Sequence, residues 1–377
     1  MKLSCLQENL NKGLSLVGRA VATRTTLPIT SNVLLATDNA RLKLSATNLE
    51  IAISCWIGAK VEQEGALTVP ARLLNEFVAS LPADRIEIEV PPRSKQLALT
   101  CGRFEARMSG IDAEEFPPIP EVREGMVVRI APEVLRRAIE QVAFSAATED
   151  SRPVLTGTHL SFSESTLTMA AADGFRLAVH KAPLLEPVQG SIVVIVPAKS
   201  LLEMNRLQSD QQDPVELVVN TERSQLLCRL KNLEMVSQLI QGTFPNYQQL
   251  IPQSHTTRAV MDVQEFLRAT KLASIFARDA SGIVRLAFSP GDGPAAGKAI
   301  VSARAEETGE NKTEIDAVIE GESAKIAFNS RYLTEILQVL GKGKVAVETT
   351  SPSSPGVFRP LDGDNYTHVV MPMFVQW

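Results

Sequence analysis

Apolar residues recur along this chain with two different periods. Leu73, Leu74, Phe77, Val78 and Leu81 share one helical face after Val69-Pro70-Ala71-Arg72, and Val134, Leu135, Ala138, Ile139 and Val142 do so in the run from Pro132 to Ala147. The same spacing predicts helices from Cys5 to Ala22 and from Asp262 to Ala277. Elsewhere the pattern switches to alternation, as in Leu42-Lys43-Leu44-Ser45 and Leu167-Thr168-Met169-Ala170, which is the mark of half-buried strands. A third such region is Ile283-Val284-Arg285-Leu286-Ala287-Phe288, with Ala299-Ile300-Val301-Ser302-Ala303 following a Gly/Pro-rich loop.

These elements repeat. Val196-Pro197-Ala198-Lys199-Ser200-Leu201 restates the segment at Val69 after 127 residues, and Phe328-Asn329-Ser330-Arg331-Tyr332-Leu333 is a looser copy 132 residues later. Pro70 and Pro197 each follow an apolar stretch ending in valine, so each reads as a strand that stops at a proline near a first helical turn. Near-constant spacing implies internal repetition. The expected fold is α+β, with three similar domains at 1–120, 127–245 and 256–377. Each should lay two helices on one face of antiparallel sheets. Acidic or proline-bearing linkers, Glu114 to Glu124 and Pro245 to His255, separate them.

Composition mostly excludes. At 44% apolar and 21% charged over 377 residues the chain is globular, with real cores. Glu8 and Asn9 interrupt the opening apolar pattern, and the longest aliphatic run, Ile192 to Val196, is too short to span a bilayer. A cytoplasmic location and no membrane partner are therefore expected. Cys5, Cys55, Cys101 and Cys228 lie far apart, as do His159, His180, His255 and His368, so buried reduced thiols are expected, with no metal and no cofactor. No Walker loop, nucleophile elbow or metal-spaced histidine pair is present, and an enzyme is not indicated. Gly291-Asp292-Gly293-Pro294-Ala295-Ala296-Gly297 has the wrong spacing for a phosphate cradle and reads as a hairpin loop, while Glu306-Glu307 and Asp362 with Asp364 read as acidic turns.

Charge is unevenly placed. The net charge is −5, yet the helical windows 5–24, 70–81, 132–147, 197–208, 262–278 and 330–344 together carry +6 and leave −11 for the rest. A protein holding a polyanion against a helical surface would be charged in this way. Solvated helix faces of mixed sign are the alternative.

Five segments then carry a resemblance over essentially the whole chain: Arg24-Thr25-Thr26-Leu27-Pro28-Ile29, Val69-Pro70-Ala71-Arg72, Asp173-Gly174-Phe175-Arg176-Leu177-Ala178-Val179, Phe244-Pro245-Asn246-Tyr247 and Val369-Val370-Met371-Pro372-Met373. In this order they resemble the bacterial DNA polymerase III beta subunit family, the replication sliding clamps. The resemblance implies a non-catalytic processivity factor that forms a head-to-tail homodimeric ring, helices inside and sheets outside, around double-stranded DNA. It implies Arg24, Arg72, Glu149, Pro153 and Val154 at DNA-facing positions, although Glu149, Pro153 and Val154 replace the amide and tyrosines of better-known members.

It further implies a pocket for a short peptide carried by the polymerase catalytic subunit, the clamp loader, and repair and translesion polymerases. The corresponding positions are Leu155, Ala172, Gly174, Phe175, Arg176, Leu177, Pro245, Gln249, Leu250, Val369, Val370, Met371, Pro372 and Met373. Arg176 is expected to offer donors to peptide carbonyls. Phe175, Gln249 and Leu250 stand for a histidine, an arginine and a smaller aliphatic, making this pocket the more apolar. Phe374-Val375-Gln376-Trp377 extends beyond it, to pack over the pocket rim or along the sheet.

Simple geometry agrees with a dimer. A domain of ~125 residues behaves as a sphere roughly 36 Å across, so three in a ring leave a hole of about 5 Å and six leave about 36 Å. Duplex DNA is roughly 20 Å wide. A three-domain scaffold that binds proteins without DNA is the alternative.

Overall fold

The computed structural model describes residues 1–22, 26–92, 94–149, 151–278, 281–291, 297–307, 309–363 and 365–377. Arg24, Asp150, Asp364 and positions 292–296 of the Gly/Pro-rich loop lie outside the described residues. Six α-helices occur among those described: α1 (Gln7–Val17), α2 (Ala71–Ala79), α3 (Pro132–Val142), α4 (Ala198–Leu207), α5 (Val263–Ala277) and α6 (Ser330–Leu340). Pro70 ends a strand and stands at the N-cap of α2, while Asn329 caps α6 by accepting from the Arg331 amide at 2.9 Å. Gly341, at φ 72°, stops α6 in a conformation that other residues resist.

Three helical expectations change. Cys5 lies in the strand Lys2–Leu6, opposite Ile86, so α1 begins only at Gln7. The helix at Pro132 ends at Val142 and continues as a 3-10 turn, Ala143–Ser145. Within the observed bounds the positive helix charge shrinks as well. Lys199 and Arg206 against Glu203 leave α4 at +1, Arg268 and Lys271 against Glu265 leave α5 at +1, and the other four helices are neutral. The remaining cations of the windows lie past the helix ends.

By contact the chain forms two compact units, Met1–Pro132 with Ser200–Leu239, and Glu133–Lys199 with Ile240–Trp377. In the first, a five-stranded antiparallel sheet runs in the order Lys60–Gln63, Lys2–Leu6, Arg85–Glu89, Gln96–Cys101, Phe104–Ser109. Beside it, Leu233–Gln238 pairs with Ile51–Gly58 in register from Leu233 opposite Cys55 to Ser237 opposite Ile51, joining the last hairpin of the second repeat to the first. In the second unit, Tyr366–Val370 pairs with Arg176–Pro183 from Val370 opposite Arg176 to Tyr366 opposite His180. The same kind of seam thus appears twice, because each repeat leaves one strand edge open where the next repeat ends.

Helices cover the apolar sheet faces. Leu42 and Leu44 point into the core while Arg41 and Lys43 lie over the Trp56 ring on the opposite face. Gly13 of α1 allows the close approach, since a Cβ there would meet Leu44 Cδ1 at 2.7 Å. The four cysteines are free and buried. Burial pushes the Cys5 and Cys228 thiols up to about 12 and that of Cys55 to about 11, with Lys12 opposing the last. No helix among the described residues is long and apolar enough to cross a membrane.

The turn entering the first seam stores strain. Asn48 Oδ1 accepts from the amides of Glu50 (3.0 Å) and Ile51 (2.8 Å), which holds Leu49 between them at φ 75°. A left-handed leucine costs roughly 1–2 kcal/mol, and its side chain here is 56% exposed, so packing returns little. Leu49→Gly is expected to raise stability by about 0.5–1 kcal/mol after glycine's greater unfolded-state entropy is deducted. Thermal unfolding of the two proteins checks this, and an unchanged or lower midpoint would show that the leucine makes contacts worth the strain.

Candidate functional site

The second seam in the second unit carries the corresponding turn with different chemistry. Asp173 Oδ1 accepts from the Phe175 amide (2.9 Å) and the Arg176 amide (3.0 Å), the same two-amide frame that Asn48 builds. Gly174 occupies the left-handed position at φ 95°, where no Cβ penalty arises, and Arg152 Nη1 stands 3.4 Å from where a Cβ would be. The Met371 amide donates to the Phe175 carbonyl at 2.8 Å, tying the turn to the C-terminal segment.

Arg176 anchors this frame. Its Nε donates to Asp173 Oδ2 (3.0 Å), its Nη2 to the Phe144 carbonyl (2.8 Å) and its Nη1 to Glu335 of α6, while the Phe144 and Tyr332 rings flank the guanidinium at 5.2 and 4.7 Å. At 6% exposure, with all three nitrogens engaged, Arg176 holds the turn in place, and two of its five N–H donors are not used by these three bonds. Glu335 also accepts from Arg331 Nε at 2.8 Å. Burial raises the Glu335 pKa, but the bonds from Arg331 and Arg176, with their charge, outweigh it and hold the carboxyl below its ordinary value. Nearby, burial and then the charge of Arg176 push His368 down to about 3, so its ring stacks on Phe144 as a neutral side chain.

Beside the frame opens a cavity of about 480 Å³, walled by Ala147, Arg152, Leu155, Gly174, Phe175 and Tyr332, with Glu149 and Arg331 also lining it. Of the expected pocket residues, Leu155, Gly174, Phe175 and Arg176 line this cavity. Ala172, Leu177 and Val369 lie beneath, in one buried cluster with Leu155, Phe244 and Tyr247. Val370 is buried opposite Arg176; Gln249 and Leu250 sit on the 3-10 turn Tyr247–Leu250, and Pro245 lines an adjoining groove. Met373 donates its amide to the Ala327 carbonyl at 2.7 Å, with Pro372 between it and Met371, and Lys325 lies 5.6 Å over the Trp377 ring. The tail therefore follows the sheet strand Ala324–Asn329, leaving Phe374 86% exposed.

Among the expected DNA-facing positions, Arg72 is exposed and bonded to Glu76 at 2.8 Å. Glu149 lines the cavity, Pro153 begins a 3-10 turn, and Val154 packs on the buried cluster. Arg24 lies outside the described residues.

Family models for the N-terminal, central and C-terminal domains of the DNA polymerase III beta subunit match residues 1–120, 129–246 and 248–374. The chain is 34% identical to the beta sliding clamp of Synechocystis sp. and 30% identical to that of Bacillus subtilis, over 99% of both chains in each case. The chain belongs to the DNA polymerase III beta subunit family. This sliding clamp superposes on the crystal structure of the Bacillus subtilis DNA polymerase sliding clamp with a TM-score of 0.94, at 29% identity and full coverage of both chains. For the DNA polymerase III subunit beta of Pseudomonas aeruginosa the TM-score is 0.91 at 31% identity, again over both whole chains. It is a processivity factor of DNA polymerase III, a non-catalytic accessory subunit with the three-domain α+β clamp fold.

Sequence reasoning misses Arg331, Tyr332 and Glu335 of this clamp. Their signal lies in the third, looser copy of the strand-to-helix motif, where Tyr332 stands for Ser200 and the Arg331–Glu335 pair keeps the i,i+4 spacing of Lys199 and Glu203.

Proposed function

We propose that two copies of this chain close head to tail into a ring around double-stranded DNA in the cytoplasm, with domains at 1–120, 127–245 and 256–377. The ring holds the replicative polymerase, clamp loader, and repair and translesion polymerases by a peptide seated beside Phe175. The observation carrying the ring is the repeated seam. Two junctions pair strands within the chain, while among the described residues Phe104–Ser109 pairs only with Gln96–Cys101, and residues 309–317 pair only with Gly297–Ala305. Pairing these two free edges between copies makes a third junction of the same kind, a heterologous contact that closes. Phe104 beside one edge, and Leu272 and Ile275 on α5 beside the other, are exposed apolar side chains suited to being covered there.

Inside such a ring Arg24 and Arg72 would meet phosphates without reading bases, so retention weakens with salt and ignores sequence. Glu149, Pro153 and Val154 are assigned to the same DNA-facing side, with Glu149 also lining the peptide cavity. The peptide pocket is assigned to Leu155, Ala172, Gly174, Phe175, Leu177, Pro245, Gln249, Leu250, Val369, Val370, Met371, Pro372 and Met373, with Arg176 as its frame. Apolar walls with adaptable methionines suit several related peptides.

Small-angle scattering with absolute mass tests the ring. A six-domain annulus has a radius of gyration near 38 Å, against about 27 Å for a compact globule of two chains. Twice the chain mass with the larger radius is expected. A compact dimer, or a monomer at micromolar concentration, would overturn the ring.

A further inference from the structure

Next to the peptide cavity, a groove of about 680 Å³ crosses the sheet formed by Gly157–Ser163, Thr166–Ala172 and Arg176–Pro183. His159 and Ser161 share one face of the first strand; Ser161 lies opposite Thr168, and Thr168 opposite Lys181, so four polar side chains stand in neighbouring positions on one face. Phe244 and Tyr247 wall the groove, their rings 5.4 and 5.5 Å from that of His159. Both belong to the buried cluster that contains Leu155 and Leu177 beneath the peptide cavity, and Pro245 between them lines the groove. Leu155 of the cavity and Val179, Phe244 and Tyr247 of the groove thus pack in one buried cluster, although no described residue lines both depressions.

We propose that this groove extends the peptide site, and takes an extended, carboxylate-bearing stretch of the same partner polypeptide beside Lys181. The inference rests on the peptide pocket proposed above. Lys181 is the one formally charged residue in the described lining, which holds no carboxylate. His159 presents its ring between Phe244 and Tyr247 at the groove wall. Ser161, Thr168, Asn246 and Gln248 supply the mixed donors and acceptors that an extended main chain requires. Burial holds His159 below its ordinary pKa, which keeps the ring neutral at pH 7 and leaves Lys181 as the charge. A nucleic acid strand is disfavoured, since a polyanion needs a row of cations and the groove offers one.

The test uses the full chain and overlapping peptides that span the catalytic subunit of the same organism's replicative polymerase. The tightest-binding core is resynthesised with two aspartates, two alanines or two lysines at either end, and anisotropy is measured against wild type, Lys181→Ala and Lys181→Glu. On wild type, one aspartate-flanked peptide should bind about three- to five-fold tighter than its alanine counterpart at low salt, and the gain should shrink as salt rises. Lys181→Ala should abolish that gain, Lys181→Glu should transfer it to the lysine flank, and all three proteins should bind the unflanked core equally. Equal affinity of aspartate and alanine flanks for wild type would overturn the groove while leaving the pocket intact. Failure of wild type to bind any peptide would overturn the pocket and this extension with it.

Discussion

With Ile275 replaced by aspartate, the chain is expected to run as a monomer and to leave circular duplex DNA. Ile275 is 57% exposed on α5, so the substitution should cost the fold within about 0.5 kcal/mol. At the proposed junction between copies, however, it would bury a carboxylate without a partner against Phe104, itself 45% exposed. Such burial costs about 3 kcal/mol even after relaxation. A closed head-to-tail dimer contains two identical junctions, so the penalty counts twice, and the dissociation constant should rise by about four orders of magnitude. Sedimentation velocity reads the mass, and retention on nicked circular against linear DNA reads the topology. An aspartate variant that remains dimeric would place the interface elsewhere. A wild-type dimer that holds circular and linear DNA equally poorly would favour a protein scaffold.

The second large effect is expected at Arg176. Arg176→Ala leaves Asp173 and Glu335 facing each other's surroundings without their shared cation and empties the space between the Phe144 and Tyr332 rings. Removing one member of so buried a network costs about 3 kcal/mol. The amide of Phe175 depends on the Asp173 carboxylate, so its hydrogen exchange should quicken, and polymerase stimulation should fall more than ten-fold while the dimer persists. Arg176→Lys should not restore activity, because an ammonium cannot reach three acceptors from one plane. Acid should imitate the lesion. Glu335 has a lowered folded-state pKa, so its contribution is present above the unfolded value and disappears as pH falls through the folded one, below the usual carboxylate range near about 4. Retention of full stimulation by Arg176→Ala would mean that the turn needs no anchor.

How much of this was legible in the sequence depended on the distance over which the information acts. Val69-Pro70-Ala71 and Val196-Pro197-Ala198 announce a strand turning into a helix because proline and periodicity act within a few residues, and both junctions are found. The helix expected from Cys5 starts too early. What makes Cys5 part of a strand is pairing with the segment at Ile86, 81 residues away. Asp173-Gly174 marks a turn locally, whereas Glu335, the partner of Arg176, lies 159 residues downstream and leaves no local trace. The charge of the helix windows was overstated for a related reason. Helix ends are set by caps and tertiary contacts, and several of the cations counted fall beyond them.

The deep burial of the four native thiols has a practical side for chemistry at the proposed junction. With Cys5 and Cys228 held up to about 12, and Cys55 to about 11, almost no thiolate forms at neutral pH, and alkylating reagents find little to react with. A single surface cysteine can therefore be labelled in the otherwise unaltered chain, without first stripping the native ones. A cysteine at Phe104 and another at Ile275 would report, by cross-link or by spectroscopic distance, whether two neighbouring copies are clasped or parted.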